Sequence, residues 1–158
     1  MTDVPRKQLL IVAHVPSDNL QRMLDAILRG AGHADIDNVD VLTVSPLQAG
    51  PELVLEADAI ILMTPENLAY MSGAMKDFFD RSYYAVLEEK QGLPCALVVR
   101  AGHDGTGTLR ALNTILTGLR WQQVQEPLLC KGTWDETFLE QCEELGMSIA
   151  AGLETGIF

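Results

Sequence analysis

DAIILMTPENLAYMSGAMKDFFDR, Asp58 to Arg81, joins an apolar run to a helical period across a polar turn. Ala59 to Met63 is apolar on both faces, which suits a strand of a parallel sheet covered by helices on both sides. Thr64-Pro65 ends the run and a short polar loop follows. Met71, Met75, Phe78, Phe79 and Ser82 then share one helical face. A buried strand that gives way to a helix over a few residues is half of a βαβ unit.

The rest of the chain repeats that half. Leu9 to Ala13 and Cys95 to Val99 are also apolar on both faces. Val39 to Val44 is interrupted by Asp40 and Thr43, the partial alternation of an edge strand in contact with water. A weaker strand within Gln122 to Cys130 carries Pro127, which confines it to the other edge. Between these runs lie three more stripes: Leu20, Met23, Leu24, Ile27 and Leu28; Leu109, Leu112, Ile115, Leu116 and Leu119; and Phe138, Cys142, Leu145 and Ile149. Thr133 to Glu136 has capping-box spacing ahead of the last stripe. The alternation predicts an α/β fold, a three-layer sandwich with a five-stranded parallel sheet in the order 2-1-3-4-5, and a single domain over 1–158.

Charge narrows the partners. Eleven Lys and Arg against 22 Asp and Glu give a formal net charge of -11, and no basic stripe tracks a phosphate backbone. DNA, RNA and anionic membranes are excluded as expected partners. The first apolar run, Leu9 to Ala13, is too short for a signal-peptide core or a membrane span, and the residues before it lack a cleavage pattern, so a cytoplasmic protein is expected. A homo-oligomer is expected as well. Cys95, Cys130 and Cys142 are odd in number and lack the paired spacing of a zinc site, so they read as reduced, buried thiols, and no metal is expected.

In such sheets ligands bind at the carboxyl ends of the strands, beside the point where strand order reverses. Three loops lie there: HVPSDN, TPENLAYMSG and RAGHDGTG. Ser17 reads as the N-cap of the first helix, whose free first-turn N–H groups would attract a phosphate, although on this loop alone an ordinary capped helix is the better reading. In the second loop Pro65 presets the backbone, Asn67 offers donor and acceptor, and Tyr70 presents a ring face. The third loop has its glycines as GxxGxG after the fourth strand, which is not a dinucleotide fingerprint, although they permit a close backbone approach to a flat ligand.

The run Asp58 to Arg81 resembles the flavin-loop segment of the flavodoxin-like NAD(P)H-dependent FMN reductases and the WrbA-type quinone reductases. There a strand ends in Thr-Pro and leads into an aromatic-bearing loop, Met-Ser-Gly and a Lys/Phe/Asp helix. The likeness continues more weakly through the first loop and VVRAGHDGTG, and in element order over the whole chain. It implies FMN held by three loops. Ser17, Asp18 and Asn19 would take the phosphate. Pro65, Glu66, Asn67, Leu68 and Tyr70 would lie along the ring, and Gly102, His103, Asp104 and Gly105 would close its other side.

The first loop departs from that pattern. Val15 stands where the family offers a hydroxyl, Pro16 has no N–H, and Asp18 brings a carboxylate. At about 4 Å a carboxylate and a phosphate repel by roughly 4 kcal/mol per charge pair at an effective dielectric near 20, against about 0.3–1 kcal/mol returned by the helix end. The resemblance implies an oxidoreductase passing hydride from NADH or NADPH through FMN to a quinone or similar small-molecule acceptor. In that reading His103 is the candidate to donate or shuttle a proton. Only Tyr70 is aromatic on the ring-side loops, which favours an enzyme with an open ring face over a flavodoxin-type electron carrier. A phosphate-accepting receiver domain is excluded, because His14-Val15 and Met63-Thr64 stand where it needs acids. A flavin-free binding or regulatory domain of the same fold stays open.

Overall fold

A computed structural model describes residues 5–158; the absence of a cleavage pattern read from the chain's start rests partly on Met1–Val4, outside the described residues. The elements run β1 Lys7–Ala13, α1 Asp18–Ala31, β2 Val39–Val44, α2 Pro51–Glu56, β3 Ala59–Asn67, β4 Tyr70–Met71, α3 Gly73–Val86, β5 Pro94–Ala101, α4 Thr106–Leu119, β6 Gln122–Gln123, β7 Leu128–Lys131 and α5 Thr137–Thr155. The sheet order is β2-β1-β3-β5, all parallel, with the outermost place shared by β6 and β7, each parallel to β5. This is the expected order with its fifth strand in two pieces. Val124 still donates its N–H to the Cys95 carbonyl at 3.1 Å, and the strand is interrupted over Gln125 to Pro127, where Pro127 has no N–H to give.

Alternation along the strands builds two cores. Leu9, Ile11, Ile61, Met63 and Val98 face α1 and α5, whereas Leu10, Val12, Ile60, Leu62 and Val99 face α2, α3 and α4. The strands read as continuous apolar runs because both faces are covered. Helices α1 and α5 approach so closely that a Cβ on Gly30 would strike the Glu143 carbonyl, and one on Gly146 the Ile27 carbonyl. Cys95, Cys130 and Cys142 are all buried and unpaired, as read from sequence, and burial pushes the Cys95 thiol up to about 12. No helix of the described residues is long and apolar enough to cross a membrane, and among them no cluster of ligating side chains could hold a metal.

Three details differ from the sequence reading. A short helix, α2, opens with Pro51 at its first turn; its 6 residues are too few to show a stripe. The Thr133–Glu136 capping box does not form. Gly132 turns the chain at φ 86°, α5 starts only at Thr137, and Asp135 Oδ1 accepts the Thr137 N–H at 2.9 Å in its place. Met71 belongs to β4, and α3 begins after the N-cap Ser72, whose Oγ accepts the Met75 N–H at 3.2 Å.

Candidate functional site

The polar loop expected after Met63 is a β-hairpin. Strand β3 continues through Thr64, Pro65 and Glu66 to Asn67, and β4 returns antiparallel with Glu66 opposite Met71 and Asn67 opposite Tyr70. Pro65 is tolerated for a geometric reason. The Met63 carbonyl accepts the His14 N–H at 3.0 Å, so alternation turns Pro65 toward the β1 side, where β1 has already ended. Its missing N–H therefore forfeits no ladder bond.

The two-residue turn is Leu68-Ala69, with φ of 51° and 65°. Both central residues sit in the left-handed region, the type I′ geometry that Asn-Gly normally fills. Holding two residues with side chains there costs on the order of 1–2 kcal/mol each. Leu68 is wholly exposed at the tip.

Three contacts hold the strained turn in place. At its base the Thr64 hydroxyl, fully buried, accepts the Ser72 N–H at 3.0 Å. In the middle the buried Thr108 hydroxyl donates to Glu66 Oε2 at 2.9 Å. At the tip the Ala69 carbonyl occupies the space where a Cβ on Gly107 would stand. Thr108 and Gly107 belong to the first turn of α4, so the hairpin is clamped to the element that follows the third loop. The hairpin that carries Pro65, Glu66, Asn67, Leu68 and Tyr70 is thereby joined to the helix that follows Gly102, His103, Asp104 and Gly105. Gly107 and Thr108 were missed. Their signal was the second half of GHDGTGT, where Gly107 is required by the closeness of another backbone.

In the third loop, Gly105 ends the turn at φ 80°, with Leu129 packed where its Cβ would lie. Asp104 Oδ1 accepts the Thr106 hydroxyl at 2.8 Å, which fixes the loop ahead of α4. His103 is exposed, and the space around Gly102 is open.

The first loop has four residues, His14 to Ser17, between β1 and α1. Ser17 is the N-cap read from sequence: its Oγ accepts the Leu20 N–H at 3.3 Å and its carbonyl the Gln21 N–H at 3.0 Å. The first-turn N–H groups of Asp18 and Asn19 remain, and both residues are exposed. His14 Nδ1 is enclosed without a hydrogen-bond partner, and burial lowers the pKa of its imidazole. The cations nearby have partners of their own. Arg22 pairs with Glu136 at 2.7 Å and lies 5.5 Å from the Trp134 ring centre. Arg100 donates to the carbonyls of Ala101, Cys130 and Gly132 and lies over Trp134 and Phe138.

Tested against FMN, the two halves of the rim differ. The clamped hairpin and the open, glycine-bearing third loop fit a flat heterocycle that reads a backbone edge and lays a face against loop atoms. The first loop fits a phosphate dianion less well: it offers neutral donors, no cation of its own and one carboxylate.

A family model described as NADPH-dependent FMN reductase matches residues 18–135. Among solved structures the chain is similar to a flavodoxin from the domain Archaea, with 23% identity, a TM-score of 0.78, and 92% of this chain and 98% of that one covered. It is similar to a flavodoxin, WrbA-like protein from Agrobacterium tumefaciens at 18% identity and TM-score 0.73, over 94% and 98% of the two chains. Oxidised flavodoxin 1 from Bacillus cereus matches at 16% identity and TM-score 0.75, over 93% and 99%. At such identities these likenesses establish the fold, which is flavodoxin-like.

Proposed function

The chain belongs to the NADPH-dependent FMN reductase family, and on that premise we propose that it binds FMN on the three-loop rim. It would pass hydride from NADH or NADPH to a quinone or similar small acceptor. The observation that carries this reading is the clamped hairpin. A non-glycine type I′ turn persists only where its surroundings over-determine it, and such strain concentrates at ligand sites. The chain keeps it at the reversal point of the sheet, against the start of α4.

When bound, the flavin supplies the hydride chemistry, and the protein supplies position and electrostatics. Asn67 and the hairpin backbone would read the edge of the ring, and Tyr70, 38% exposed, would offer it a face. Gly102 to Gly105 would border the other side without covering it. His103, exposed on that loop, would donate or shuttle a proton at the ring's edge. Ser17, Asp18 and Asn19 would meet the phosphate end.

Titrating the apo-protein with FMN should quench flavin fluorescence saturably at one FMN per chain. Lack of quenching at high micromolar protein would remove the flavin reading and promote a flavin-free regulatory domain. With the flavin loaded, steady-state rates against NAD(P)H and a quinone should give parallel double-reciprocal lines, the pattern of two substrates using one face in turn. Intersecting lines would instead argue for two pockets. A loaded protein that NAD(P)H cannot reduce would point to an electron carrier.

His103→Phe tests the open face separately. A ring placed there should cover it, lowering turnover while FMN affinity stays largely intact. Unchanged turnover would mean that the substrates approach from elsewhere.

A further inference from the structure

We infer that the site recognises the ring of a flavin and gains little from its phosphate, so that riboflavin binds about as well as FMN. The inference rests on the flavin reading above and deepens it, because it names what part of the ligand is selected.

The argument is a count of what the first loop can give a dianion. Pro16 has no N–H, and the Leu20 and Gln21 N–H groups are taken by the Ser17 hydroxyl and carbonyl. That leaves the N–H groups of Val15, Ser17, Asp18 and Asn19 and the hydroxyl hydrogen of Ser17, all of them uncharged donors. A helix start can hold a phosphate with such donors, but here the turn that offers them also carries the exposed carboxylate of Asp18. No Lys or Arg lies between Lys7 and Arg22. Arg22 is tied to Glu136, and Arg100 is spent on three backbone carbonyls. The whole chain carries a formal -11, so a phosphate of charge about -2 approaches against the field of the protein as well.

The ring half has the opposite character. The hairpin is fixed before any ligand arrives by Thr64–Ser72, Glu66–Thr108 and the Ala69–Gly107 contact. A preset surface spends no binding energy on ordering itself. Recognition therefore falls to the uncharged part of the flavin.

Parallel fluorescence titrations with riboflavin and FMN test this directly. Their dissociation constants are expected within about threefold of each other. Raising ionic strength from about 0.01 M to about 0.1 M, which shortens the screening length from about 30 Å to about 10 Å, should improve FMN relative to riboflavin. Asp18→Ser should tighten FMN about fivefold and leave riboflavin unchanged. FMN binding more than about tenfold tighter than riboflavin overturns the inference while leaving the flavin reading intact. So does FMN binding that weakens steeply with salt, or that Asp18→Ser leaves unchanged or worsens. Saturable quenching by neither flavin overturns the inference together with the reading it rests on.

Discussion

Gly107→Val is expected to weaken flavin binding about tenfold or more while the protein still unfolds in one cooperative transition. A side chain at Gly107 meets the Ala69 carbonyl, a backbone atom that no rotamer change can move aside. One of the two elements must shift. Helix α4 is fastened by Leu112, Leu116 and Leu119, all buried in the core, whereas the hairpin tip carries a strained turn and an exposed Leu68. The hairpin is the softer side. Overpacking of this kind costs about 1–3 kcal/mol. If that cost appears as a displaced hairpin, the ring loses its support. Flavin titration beside a thermal melt separates the two effects. Full affinity in Gly107→Val would show that the hairpin is not the ring's platform, and Gly107→Ala provides a smaller step in the same direction.

Phe78→Ala should have the largest effect on stability, about 3–5 kcal/mol. Phe78 is fully buried on α3, with its ring centre 5.3 Å from that of Phe79, which in turn lies 6.4 Å from Trp121. Truncation would remove both the apolar area and the tilted aromatic contact, leaving a cavity that β3 and β5 cannot close without breaking the sheet. For a chain of this size the midpoint of thermal unfolding should fall by roughly 6–20 °C. Tyr84→Ala, on the same helix but 85% exposed, is the matched control and should change stability by about 0.5 kcal/mol or less. Equal losses in the two variants would contradict the assignment of the core.

The sheet was legible because burial on both faces leaves a plain mark: unbroken runs such as Ala59 to Met63 in the central strands, with polar residues breaking the pattern at the edges. The three rim loops followed from the strand order. The hairpin was not legible, because a type I′ turn announces itself through Asn-Gly or Asp-Gly, and here Leu68-Ala69 holds that geometry through contacts made far along the chain. Helix α2 was too short for periodicity to register. At the start of α5 two acceptors, Thr133 and Asp135, competed for the cap. The choice went to the one two residues before Thr137, a distance effect that spacing alone did not decide. Gly107 was visible as a glycine, but its reason lay in a backbone that only folding brings to it.

The gap between β6 and β7 also bears on how copies of this chain meet. An open sheet ends in two rows of unpaired backbone groups, each a template on which another strand can grow into a fibril. Here one row is broken before Leu128, at Gln125–Pro127, into strands of 2 and 4 residues, too short to guide a long partner. The opposite row, β2, carries Asp40, bound by Arg6 at 2.7 Å and Gln8 at 3.0 Å, a charged blocker against an incoming strand. Concentrated solutions should therefore resist amyloid-like growth, and any closed assembly of copies falls to helix faces, where symmetry can satisfy both partners at once.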